Sequence, residues 1–158
     1  MLGRGRYRAR MKQLFRNSGT VRPVTVFVLT MIAVATALAA AAPLGKSLVD
    51  LESHIKWEAV DDGWKGLREK WTDETNACAN ATCVARQMAV LEEHVKWEAV
   101  DPAWKKKRDG WVSACKKASS DAEVSKLLLD FEENIGWKAV DEDWRGMRDG
   151  WVASVKKN

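Results

Sequence analysis

No aspartate or glutamate occurs before Asp50, although the chain carries 22 acidic residues. Histidine is limited to His54 and His94 and cysteine to Cys78, Cys83 and Cys115. Around none of them does the ligand spacing of a known zinc or haem site appear. Nucleotide-binding glycine loops, nucleophile elbows and the H-E-x-x-H helix are absent as well. These gaps leave little on which an enzyme mechanism could rest, and neither catalysis nor a resident cofactor or metal is expected. Adjacent carboxylates such as Asp61-Asp62 and Glu132-Glu133 read as helix caps and solvated faces.

The missing acid divides the charge. Of 26 basic residues 8 precede Asp50, so residues 1–49 carry +8, while residues 50–158, with 18 basic and 22 acidic, carry −4. Such asymmetry points to a basic arm attached to an acidic body. In the arm, Arg4, Arg8, Lys12 and Arg16 fall on one helical face and Tyr7, Met11, Leu14 and Phe15 on another, the pattern of an amphipathic import sequence or of a juxtamembrane segment holding anionic lipid. Residues 24–42 then run 19 positions without a charge. At about 1.5 Å per residue this matches the roughly 30 Å core of a bilayer. Seven positive charges precede the run and Lys46 follows it, which keeps the N-terminus on the cytoplasmic side, or its organellar equivalent, and sends the body across. The expected location is the mitochondrial inner membrane, with a bacterial cell envelope or the secretory pathway as alternatives. The competing reading of 24–42 is a cleaved secretory signal.

What the body has in abundance is tryptophan. Nine fall into three sets, Trp57/Trp64/Trp71, Trp97/Trp104/Trp111 and Trp137/Trp144/Trp151, seven residues apart within a set and forty between sets. Ile55/Val95/Ile135, Val60/Val100/Val140, Asp61/Asp101/Asp141 and Arg68/Arg108/Arg148 keep the same step. A period of about 40 residues is that of stacked helical hairpins, for which three copies are about the minimum. The expected fold is therefore all-α, with three tandem tryptophan-rich hairpins after a single N-terminal transmembrane helix. The division is a basic arm (1–23), a membrane segment (24–42) and a repeat domain (43–158), its repeats near 46–80, 82–119 and 120–158.

Within each repeat the sequence predicts two helices and a very short turn. Ser120 and Glu123 form a capping box, and the first helix of repeat three should run on to Val140, with Val124, Leu128, Phe131 and Ile135 on one face. Asp141 should cap the second helix, whose apolar stripe is Trp144, Met147, Trp151 and Val155; in repeat two, Asp101-Pro102 places a cap before a proline at the first helical position. Trp64, Trp71, Trp104, Trp111, Trp144 and Trp151 should then form the repeat core, because indoles seven apart share one side of a helix. Arg68, Arg108 and Arg148 can lie against an indole or pair with an acid of the first helix, by default at the surface. His54 and His94 read as exposed helix-face residues.

Cys78 and Cys83 flank the first inter-repeat turn, where an oxidising compartment would allow a disulfide that leaves Cys115 over. Asn80-Ala81-Thr82 between them is a glycosylation sequon, meaningful only on a eukaryotic secretory route.

Function is expected to be non-enzymatic: a membrane-anchored interaction or assembly subunit whose partners are the bilayer and a protein. Trp137, in the last repeat of an open array, would lack a following repeat to cover it and so offers a docking site. Lys105, Lys106 and Lys107 form the only basic run of the body, a second candidate contact. A nucleic-acid binder would use that run with aromatic stacking, which the body's negative charge opposes. A cofactor-binding or redox-linked envelope protein is the remaining alternative.

Overall fold

The computed structural model of the protein describes residues 43–158, so the basic arm (1–23) and the apolar run (24–42) lie outside the described residues. Among the described residues no helix is long and apolar enough to cross a membrane. The body is all-helical: α1 (43–53), α2 (Asp62–Asn76), α3 (Ala81–His94), α4 (Trp104–Lys117), α5 (Asp121–Asn134) and α6 (Glu142–Val155). Odd and even helices alternate as the first and second members of three hairpins. Leu44, Leu48 and Leu51 of α1, Val84, Met88 and Leu91 of α3, and Val124, Leu128 and Phe131 of α5 are completely buried. On α2, α4 and α6 only a narrow stripe is covered, headed by Trp64/Trp71, Trp104/Trp111 and Trp144/Trp151. The first helices thus form the inner layer and the second helices the outer one. Met147, expected in the α6 stripe, is exposed.

Within each outer helix the two tryptophans meet edge to face, with centroids 5.2, 5.3 and 5.3 Å apart, the arrangement that the indole quadrupole favours. The second indole of each pair fastens one hairpin to the next. Trp71 Nε1 donates to the Gln87 carbonyl of α3 and Trp111 Nε1 to that of Leu127 in α5, both at 2.9 Å. Trp151 Nε1 makes the same bond, 2.9 Å, to the Ser47 carbonyl of α1. The last repeat is therefore bonded to the first as each repeat is to its successor. The array is a closed ring of three hairpins, and the open stack with a bare end expected from the sequence is corrected.

Closure is repeated in the connectors, which are longer than the sequence suggested. The inner helices stop at 53, His94 and Asn134, and seven, six and six residues precede Asp61, Asp101 and Asp141. Antiparallel bridges pair Val60 with Val95, Val100 with Ile135 and Val140 with Ile55. Lys96 N donates to Ala59 O (2.9 Å), Gly136 N to Ala99 O (2.8 Å) and Lys56 N to Ala139 O (2.8 Å). Backbone groups freed where each helix ends find partners in the next repeat, as buried peptide groups must. The three connectors consequently gather at one end of the ring. Pro43, the turns 77–80 and 118–120 and the C-terminus stand at the other, about one helix length or ~16 Å away.

Caps set the helix starts. Asp61 and Asp141 accept from the backbone N–H of Trp64 and Trp144 at 3.0 Å, and Ser120 with Glu123 forms the capping box of α5. In repeat two Asp101 instead accepts from Ala103 N at 2.7 Å, and α4 begins at Trp104, two residues later than its equivalents. The turn before α3 is closed by a Cys78–Cys83 disulfide with Asn80 as the cap. At the matching positions of the next turn stand Ala118 and Glu123, so covalent closure in one turn is matched by a capping box in the other.

Candidate functional site

Three glutamates organise the connector end of the ring. Glu52, Glu92 and Glu132 sit in the last turn of the inner helices and are almost fully buried. Each carboxylate accepts the indole N–H of the first outer-helix tryptophan: Trp64 (2.8 Å), Trp104 (3.1 Å) and Trp144 (3.2 Å). Each also accepts from an arginine, Arg68 Nε at 2.7 Å, Arg108 Nε at 2.8 Å and Arg148 Nη2 at 2.7 Å. A buried carboxylate is tolerated only with such company. The Glu132 hydrogen bond holds the Arg148 guanidinium above its ordinary value, against a lesser opposing effect of burial. The surface ion pair expected of these arginines is thus corrected, because the acidic partner is interior. Glu52, Glu92 and Glu132 step by forty like the tryptophans; an invariant acid beside Leu51, Leu91 and Phe131 was the available signal for a buried anchor.

The same guanidiniums support the remaining tryptophans. Trp57, Trp97 and Trp137 lie in the connectors and stay 48%, 44% and 50% exposed. Arg68 lies 5.3 Å from the Trp57 centroid, Arg108 5.7 Å from Trp97 and Arg148 5.7 Å from Trp137, within cation–π range. Trp97 and Trp137 each have a second cation, Lys105 at 5.6 Å and Arg145 at 5.8 Å. Trp57 does not; the equivalent Lys65 pairs with Asp62 at 3.0 Å. Since the ring has no end, Trp137 is not the singular exposed indole that the open array implied. It is one of three on a common face.

The three indoles differ in what lies beside them. Next to Trp57 is a cavity of about 190 Å³ bounded by Glu52, His54, Arg68 and Asp141; next to Trp137 the equivalent space is about 40 Å³. In repeat three Arg148 reaches both Glu132 oxygens. In repeats one and two the arginine holds a single oxygen, and Glu52 Oε2 and Glu92 Oε2 have no hydrogen-bond partner.

The histidines are not free on a helix face. His54 Nδ1 lies 3.0 Å from both carboxylate oxygens of Asp141, and His94 Nδ1 lies 3.0 and 3.1 Å from those of Asp61, each across a seam between repeats. Their rings stand 5.2 Å from Trp144 and Trp64. At the third seam Asn134 turns instead to the Asp130 carbonyl. The hydrogen bond from His94 lowers the Asp61 carboxyl from its ordinary 3.8, with burial opposing and the Trp64 N–H assisting. At Asp141 burial is again opposed, and outweighed, by bonds from the Trp144 N–H and His54.

The basic run does not make one patch. Lys105 is engaged with Trp97, Lys107 reaches Asp130 at 3.5 Å and Lys106 faces solvent. Cys115 is a buried free thiol whose pKa burial pushes up to about 12, which keeps it protonated and poorly nucleophilic. Among the described residues no three histidine, cysteine or acidic side chains converge as a metal site.

No curated protein and no solved structure matches the chain. One family model does match, twice, over residues 42–96 and 84–135. The two overlapping matches are staggered by about one repeat and together span more than half of the chain. The chain belongs to the family described as domain of unknown function DUF8799.

Proposed function

We propose that the protein is a membrane-anchored, non-enzymatic binding subunit that works through the tryptophan face of its ring. The observation that carries this reading is the gathering of Trp57, Trp97 and Trp137, each about half exposed, on a single face of the body. Three equivalent indoles, one from each connector and each beside a cation, form the sort of amphipathic aromatic surface that marks recognition sites. Pro43, from which the chain leads back toward the apolar run, stands at the opposite end. The Cys78–Cys83 disulfide supports display in an oxidising compartment, in keeping with the charge asymmetry around 24–42 and with an inner-membrane or envelope location. Dispersal of Lys105, Lys106 and Lys107 around α4 weakens the nucleic-acid alternative, since phosphate binding needs contiguous positive charge.

Topology and face are tested together. Protease added on the side of intact vesicles or mitoplasts opposite the N-terminus should digest a C-terminal tag, and photo-crosslinkers at 57, 97 or 137 should capture a defined adduct that one at Ser119 does not. Protection of the tag overturns the orientation, and equal capture from Ser119 overturns the face.

A further inference from the structure

We propose that the cavity beside Trp57 is a saccharide subsite, taking one neutral pyranose ring of a glycan. The proposal deepens the preceding section and rests on its assignment of the indole face as the binding surface. Three observations set Trp57 apart from Trp137. Trp57 has one cation within reach instead of two. A space of about 190 Å³ adjoins it, against about 40 Å³ at Trp137. On the wall of that space Glu52, 3% exposed, carries an oxygen without a partner.

The lining sets the chemistry of the occupant. It carries groups of both signs: Arg68 is paired with Glu52 at 2.7 Å, His54 lies 3.0 Å from Asp141, and Lys56 donates to the Lys138 carbonyl at 3.3 Å. An anionic ligand would meet the carboxylates of Glu52 and Asp141, and a cationic one Lys56 and Arg68. What remains is hydrogen-bonding capacity beside an aromatic plane, with Glu52 Oε2 able to accept and His54 Nε2 without a protein partner among the described residues. An occupant that suits this is uncharged, has an apolar face to lay on an indole and carries hydroxyl groups at its edge. A pyranose ring has all three properties. The opening lies at the connector end of the ring, and a free, uncharged glycan is the source of such a pyranose.

The full chain in a detergent without a sugar head group is titrated calorimetrically with cellohexaose, chitohexaose, maltohexaose and mannohexaose. At least one should bind with a dissociation constant on the order of 1 mM, the range open to a single ring. Trp57→Ala should weaken that binding roughly tenfold or more and Trp57→Phe should restore part of it. Trp137→Ala should leave it unchanged, and circular dichroism should show every variant folded. Binding to vesicles bearing a glucosyl lipid but to no soluble hexasaccharide would overturn the free-glycan source. Silence from every sugar, or equal loss in Trp137→Ala, overturns the proposal. If sugars fail while crosslinkers at 57, 97 and 137 still capture a defined adduct, the ligand class is wrong and the face assignment stands.

Discussion

A single residue type decides whether each hairpin can close its outer helix over its inner one. Glu92 is buried, yet it receives both the Trp104 indole and Arg108. Removing it leaves an N–H inside the protein and a guanidinium deprived of its carboxylate, and breaking a buried pair from one side costs about 3 to 5 kcal/mol. Glu93, the next residue along, is exposed and makes no ion pair among the described residues. Urea unfolding of the full chain in detergent should therefore show Glu92→Ala destabilised by about 3 to 5 kcal/mol, and Glu93→Ala within roughly 0.5 kcal/mol of the parent. Similar losses in the two variants would mean that the glutamate contributes no more than a surface acid. Reactivity at Cys115 is expected to be low because burial, with the negative charge of Glu92 adding to it, keeps the thiol protonated.

Among the elements, the seams between hairpins are where local sequence and neighbouring repeats act on the same side chain. Asp61 caps α2 and also holds His94 from the next repeat. Its carboxyl titrates below the ordinary 3.8 of an aspartate because His94, foremost, and the Trp64 N–H favour the charged form. A carboxylate whose pKa is lowered by folding adds stability above its unfolded value, and that contribution is lost as pH falls through the lowered folded value. The parent should lose stability as pH drops below about 4; Asp61→Asn, which can still accept from Trp64 but does not titrate, should lose it less steeply. Thermal melts at pH 7, 4 and 3 distinguish the two slopes, and parallel curves would sink the assignment. The caps Asp61, Asp141 and Ser120, the helices and the buried tryptophan pairs were legible in the sequence because they depend on spacing within 15 residues or so along one chain segment, whereas the helix start expected at Asp101-Pro102 is displaced to Trp104. The connectors were not legible. Ile135, Gly136 and Trp137 continue the apolar pattern of α5, so periodicity alone extends the helix; what stops it is bridging of Val100 to Ile135 and of Gly136 N to Ala99 O, bonds to residues of another repeat.

At the scale of the molecule, closure changes what every repeat is. A linear array needs terminal repeats with a polar outer face, and among the described residues there are none: Leu44, Leu48 and Leu51 of the first hairpin and Trp144 and Trp151 of the third are as apolar as their equivalents in the second. That lack of caps was the sequence signal for a ring, and it passes unnoticed when three repeats are read one after another. Its energetic consequence is specific. In an open stack Trp151 would face solvent where Trp111 faces a neighbour, so its removal would be mild. In the ring Trp151 is buried, meets Trp144 edge to face at 5.3 Å and donates to Ser47 O at 2.9 Å, as Trp111 meets Trp104 and donates to Leu127 O. Trp151→Ala and Trp111→Ala should each cost about 3 to 5 kcal/mol, the range for deleting a buried indole, and each should lower the midpoint of one cooperative transition, since loosening either seam opens the same ring. Chemical denaturation followed by circular dichroism measures both. A Trp151→Ala chain that unfolds within about 1 kcal/mol of the parent, or that loses the third hairpin in a separate early step, would return the molecule to an open array with a free end.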